Sequence, residues 1–106
     1  MIKVDIKTKQ GKIVLIKVEG HANYSNKGKD IVCAGVSAVI IGGANSFEKE
    51  IIKKQVYCKI DQDIAKIKVE DYTIISIQNK LDVIVTQLKA ISENYSKYVK
   101  IKKEEI

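Results

Sequence analysis

From residue 2 to residue 8 the chain alternates Ile2, Val4 and Ile6 with Lys3, Asp5 and Lys7, the period-two signature of a strand with one buried face. Gln10-Gly11 marks a turn. Residues 12–19, carrying Ile13, Val14, Leu15, Ile16 and Val18, form a second strand that pairs with the first as a hairpin. Gly20 ends it, and a polar loop runs from His21 to Lys29. The period then changes. Val32, Val36, Val39, Ile40, Ala44, Phe47 and Ile51 recur at three- and four-residue spacing, which predicts one amphipathic helix from about Ile31 to Lys54, with Asp30 as its N-cap. Gly35, Gly42 and Gly43 lie within it, each costing about 1 kcal/mol relative to alanine. Close approach of a neighbour is therefore expected, as tight packing on the sheet at Gly42 and Gly43.

A second hairpin follows at residues 55–60 and 64–70, turned at Asp61-Gln62-Asp63, with Cys58 alternating with Val56 and Ile60 on the inward face. Ile74, Ile77, Leu81, Ile84, Val85, Leu88, Ile91 and Tyr95 then mark one face of a long helix from Thr73 to about Tyr98, capped by Asp71 or Thr73. Val99-Lys100-Ile101-Lys102 alternates again and predicts a final edge strand. The order is ββαββα with a closing β. Its expected architecture is an α+β two-layer domain, with two helices on one face of a mostly antiparallel sheet.

A length of 106 residues with 45% apolar content supports one domain over residues 1–106. No stretch approaches the roughly 20 apolar residues that span a bilayer, and the start of the chain lacks the apolar core of a signal peptide. A cytoplasmic location is expected. Two cysteines without a secretion signal point to free thiols, and with one histidine they make a poor zinc set, so neither metal nor cofactor is expected. The formal charge is +6, built on 19 basic residues that are all lysine. Arginine is the usual bidentate reader of phosphate and guanine, and the lysines are scattered along the chain. A solvated surface is the expected reading, with direct nucleic-acid binding not anticipated.

The loop and the start of the first helix hold the candidate chemistry. His21 is the only histidine, at the end of a strand, and Cys33 falls in the first helical turn. A thiol there feels the positive end of the helix, which favours thiolate. A neighbouring imidazole can take the thiol proton and return it to a leaving group. This is the minimum equipment of a cysteine hydrolase. Backbone N–H groups around Cys33 and Ala34 are the expected oxyanion donors. Asp30 can cap the helix, orient His21, or do both. Ser37 lies four residues after Cys33 on the same face, placed either to hydrogen-bond near the thiol or to bond back to the preceding turn. Asn23, Tyr24 and Gly28 stand in the loop where substrate would enter, with Gly28 as a hinge.

The run Gly20-His21-Ala22, then Gly28, Asp30-Ile31-Val32-Cys33-Ala34-Gly35 and Ser37-Ala38, resembles the ribosomal-processing cysteine protease family, Prp. The match extends to chain length and element order. The resemblance implies a small homodimeric endopeptidase with His21 and Cys33 as catalytic pair, and Asp30 and Ser37 at the family's motif Asp and Ser. The implied substrate is a large-subunit ribosomal protein made with a short N-terminal extension, cut after a hydrophobic or aromatic residue. Asn23-Tyr24-Ser25-Asn26-Lys27 departs from the family pattern and bears on specificity. Two rivals stand beside this reading. A non-catalytic ribosome- or RNA-associated module would bind RNA in a salt-dependent way regardless of Cys33, and a redox sensor would pair Cys33 with Cys58.

Overall fold

The computed structural model describes residues 1–106. Its elements are β1 (Ile2–Lys9), β2 (Lys12–Glu19), α1 (Ile31–Asn45), α2 (Glu48–Ile52), β3 (Val56–Ile60), β4 (Ile64–Val69), α3 (Ile75–Asn94) and β5 (Val99–Glu105). The five strands form one sheet in the order β3-β4-β2-β1-β5. The β1–β2, β2–β4 and β3–β4 pairs are antiparallel and β5 joins β1 in parallel. The expected α+β order and the mostly antiparallel sheet are both present. Ile2, Val4, Ile6, Ile16, Val18, Ile67 and Val69 project from the sheet into a core closed by Val32, Val36 and Ile40 of α1 and by Ile77, Leu81 and Leu88 of α3.

The lysines scattered in sequence gather on the opposite face. The register places Lys59, Lys66, Lys17, Asp5 and Lys102 in one row across the sheet. Neighbouring acids temper it, as where Lys17 pairs with Glu19 at 3.5 Å.

Four sequence expectations shift for identifiable reasons. First, the single helix 31–54 breaks at Ser46–Phe47. Phe47 is fully buried and leaves helical geometry at φ −96°, ψ 17°. Ser46 Oγ donates to the Gly43 carbonyl at 2.6 Å, and Lys80 Nζ donates to the Ser46 carbonyl at 2.7 Å. Burial of one aromatic ring outweighs continuation of the helix. Second, Gly43 packs on α3 rather than the sheet: a Cβ there would lie 2.5 Å from Ile84 Cδ1, whereas Gly42 faces open space. Third, α3 begins at Ile75 behind Ile74 with no side-chain cap. Asp71 instead closes the preceding turn, accepting from Thr73 N at 3.0 Å and Thr73 Oγ1 at 2.6 Å. Cys58 also differs from expectation. It is only half-buried on edge strand β3, and Ile60 beyond it is exposed.

The uneven spacing of buried residues in β2 comes from a register shift opposite Lys7–Thr8, where Lys7 faces Leu15 but Thr8 faces Ile13. Ile13 and Ile16 both reach the core because of it. The pairing of β2 with β4 begins only at Leu15. Buried Gln78 of α3 completes the ladder beyond that point: Ile13 N donates to Gln78 Oε1 at 2.9 Å and Gln78 Nε2 donates to the Ile13 carbonyl at 2.8 Å. Gln78→Leu strands both Ile13 groups and is expected to cost about 1–3 kcal/mol in chemical denaturation. Gly42→Ala, in open space, should gain up to about 1 kcal/mol from helix propensity. Gly43→Ala should give back that gain through the clash with Ile84, and paired melting curves of the two variants test the difference.

Candidate active site

The site is assembled from the end of β2, the loop behind it, the start of α1 and the β3–β4 turn. Asp30 sits in extended geometry at φ −87°, ψ 100°. Its Oδ1 accepts the N–H groups of Val32 and Cys33, both at 3.0 Å. Its Oδ2 accepts those of Tyr24 at 2.9 Å and Ser25 at 3.3 Å. One carboxylate therefore caps the helix and ties down the loop. Desolvation pushes its pKa up, but the backbone donors Cys33, Ser25, Tyr24 and Val32 outweigh this and hold it below the ordinary value of 3.8. The Tyr24 ring meets Tyr95 and Tyr98 edge-on, with centroids 5.5 and 5.1 Å away, so the loop is anchored at a second point.

Cys33 lies half-buried in the first turn of α1. Its Sγ accepts the Ala22 N–H at 3.3 Å. Ala22 is itself buried, which fixes the direction of that N–H. Just before it, Gly20 adopts φ +91°, and a Cβ there would stand 2.5 Å from the Met1 carbonyl oxygen. Only glycine lets β2 exit so close to the start of β1. The N-terminal ammonium donates to the His21 carbonyl. The His21 side chain is exposed, and its Nε2 lies 3.1 Å from Asp63 Oδ1.

His21, Cys33, Ser37 and Gln62 line both of two adjoining spaces. One, of about 210 Å³, is walled by apolar side chains including Val18, Val36, Ile40 and Ile64. The other, about 620 Å³, is polar and bounded by Asn23, Lys27, Gly28 and Asp30. The thiol and imidazole thus stand where an apolar pocket opens into a polar groove, a setting suited to acyl transfer on a peptide.

Of the residues singled out in the sequence, His21, Cys33, Ser37, Asn23, Gly28, Asp30 and Ala34 line these spaces. The Tyr24 ring instead serves as the loop anchor. Asp30 bonds backbone N–H groups, and the carboxylate beside His21 belongs to Asp63. The expected oxyanion donors require correction. The Cys33 N–H is taken by Asp30 Oδ1, and the Ala34 N–H donates to the Asp30 carbonyl at 3.0 Å, so neither is free. Asp63 and Gln62, read in the sequence only as turn residues, were the contributions that reasoning from local pattern missed. The signal lay in strand register: Glu19 pairs with Ile64, so the residues after one face the residues before the other.

Cys58 lies elsewhere, in a groove with Ile51, Ile52 and Ile60. Burial pushes its thiol up to about 11, which leaves it protonated near neutrality and poorly nucleophilic. Both cysteines are free. No helix is long and apolar enough to cross a membrane.

The family model of the cysteine protease Prp matches residues 1–100. The ribosomal processing cysteine protease Prp of Mycoplasma genitalium is 36% identical over 104 residues, covering 98% of this chain and 97% of its own. The Mycoplasma pneumoniae protein of the same name is 31% identical over 85 residues, covering 79% of this chain and 81% of its own. Among solved structures, the ribosomal processing protease Prp from S. aureus with a covalently linked product peptide superposes with a TM-score of 0.86 at 29% identity. That match covers 97% of this chain and 99% of the other. The same S. aureus protease with a substrate peptide gives a TM-score of 0.81 at 28% identity and the same coverage. On this fold, this sequence and this arrangement of thiol and imidazole, the chain belongs to the Prp family of cysteine proteases.

Proposed function

We propose that this protein is the endopeptidase that removes a short N-terminal extension from a large-subunit ribosomal protein, with Cys33 as nucleophile and His21 as general base and acid. The observation that carries the reading is the placement of Cys33. It stands in the first turn of α1, its sulfur accepts the Ala22 N–H, and it shares both spaces of the cleft with His21. The names of the relatives and the peptides bound to the S. aureus protease, one of them covalently linked, support it.

In the proposed reaction, His21 takes the Cys33 proton and the thiolate attacks the scissile carbonyl carbon. The tetrahedral adduct collapses as the imidazolium gives its proton to the departing amine, leaving a thioester. Water, deprotonated by the same imidazole, then attacks the thioester, and the peptide acid leaves as Cys33 regains its proton. The Ala22 N–H stabilises the thiolate by a charge-assisted bond. The apolar space takes a hydrophobic or aromatic side chain next to the cut, and the polar groove with Asn23 and Gly28 takes the rest of the peptide. Ser37 borders the thiol from the next turn of the helix. The enzyme acts in the cytoplasm as a homodimer, and exposed Ile51, Ile52 and Ile60 beside edge strand β3 are the apolar surface suited to a second copy.

Incubated with the N-terminally extended ribosomal protein of its own organism, the wild type is expected to make one early cut visible by mass spectrometry. Cys33→Ala should abolish the cut, while Cys58→Ala should leave it largely intact; the reverse pattern would overturn the assignment. Iodoacetamide at neutral pH should label Cys33 well before Cys58, since Cys58 is held protonated.

Asp30→Ala frees both the helix start and the loop, and a misplaced thiol of this kind is expected to lower kcat about 100-fold. The same variant tests linkage. The folded-state pKa of Asp30 is depressed, so its stabilisation is fully present above the ordinary value of 3.8 and is lost as pH falls through the lower folded value. The melting-temperature gap between wild type and Asp30→Ala should therefore be widest near neutrality and narrow below pH 3.8.

A further inference from the structure

We propose that Asp63, in the turn between β3 and β4, is a positioning residue for His21 that fixes its tautomer and makes Nδ1 the basic nitrogen. The inference rests on the reading of His21 as the general base.

The placement follows from the sheet. Glu19 at the end of β2 pairs with Ile64 at the start of β4, so Gly20 and His21 emerge beside Asp63 and Gln62. Asp63 then grips that segment twice. Its carbonyl accepts the Gly20 N–H at 3.3 Å, and its Oδ1 lies 3.1 Å from His21 Nε2. The turn is closed by the Asp61 N–H donating to the Ile64 carbonyl at 2.8 Å. Backbone and side chain of one residue thus set both the position of the histidine and the direction of its ring.

An ionised carboxylate only accepts hydrogen bonds. The bond at Nε2 therefore requires the proton to sit on Nε2, which leaves the lone pair of neutral imidazole on Nδ1. In the thiol-activating step the proton leaves Cys33 Sγ for Nδ1, giving thiolate and imidazolium, while Asp63 stays ionised beside the new positive charge. No other residue fills this place, because Asp30 is engaged by four backbone N–H groups.

Exposure sets the size of the effect. The side chains of His21 and Asp63 are 62% and 73% exposed, and open ion pairs are weak. The expected loss is a kcat fall of about 3- to 10-fold, far below that seen when a buried triad acid is removed.

His21 is the sole histidine, so its ring nitrogens give unambiguous signals. The test combines steady-state cleavage of an extended ribosomal-protein peptide with long-range 1H–15N spectra of His21 at alkaline pH, for wild type, Asp63→Ala and Asp63→Asn. In Asp63→Ala the expected result is the stated kcat loss with little change in KM. The separation of the Nδ1 and Nε2 shifts should contract as the two tautomers mix. Asp63→Asn keeps an acceptor oxygen and should recover both readouts in part. Unchanged nitrogen shifts in Asp63→Ala would overturn the proposal whatever happens to kcat, since a mere turn defect lowers activity without mixing tautomers. Unchanged kcat would overturn it equally. A Cys33→Ala control separates the underlying reading: if that variant still cleaves, the proposed nucleophile fails, while the spectra still decide the Asp63–His21 contact.

Discussion

The carboxylate of Asp30 is the constraint on which the site depends. Four backbone N–H groups from two segments converge on its two oxygens. On one side it satisfies donors that a helix start otherwise leaves unpaired. On the other it holds the loop that returns from β2. Without it, α1 would fray at the turn carrying Cys33, and the loop would lose its tie to the helix. The Cys33 thiol is therefore placed by polar satisfaction of the backbone, while the core beneath it fixes only the axis of α1.

The second layer of order comes from the sheet. The β2 exit is pinned by the close approach at Gly20, by the N-terminal ammonium on the His21 carbonyl and by the Asp63 carbonyl on Gly20. Ala22, buried just behind, turns its N–H toward sulfur. His21 and Cys33 come from elements with different packing partners, yet Ala22 links the two directly. An exposed imidazole and a half-buried thiol line one open cleft, with an apolar wall on one side and a polar one on the other.

Much of this was readable in the chain, and the division follows the range of each interaction. The alternation of β1, the three-four spacing of α1 and α3, and the cap at Asp30 are local, and the structure contains them. The break at Phe47 was not legible, because an amphipathic period continues through residues 46–54 and only the core reveals that the ring must turn inward. Gln78 reads as an ordinary helix residue until β2 is seen to run past its partner strand. Asp63 reads as a turn residue until register sets it against His21. The lysines look scattered because a strand period spreads them, and only pairing across strands collects them on one face. In the site itself, the residues near Cys33 in sequence were visible and those brought by the β3–β4 turn were not. The oxyanion expectation failed for a related reason, since a good cap consumes the same N–H groups that it orients.

The parallel docking of β5 on β1 has a consequence for how the molecule comes into being. Ile2 pairs with Val99, and the Ile2 N–H donates to the Tyr98 carbonyl at 2.8 Å, so β1 is completed by β5, a strand far from it in sequence. The Tyr95 and Tyr98 rings that hold the loop through Tyr24 arrive equally late. Contacts of such long sequence separation slow folding. A nascent chain on the ribosome, with β1, β2 and α1 already synthesised, therefore carries its thiol and imidazole before it has the strand and aromatic contacts that brace them.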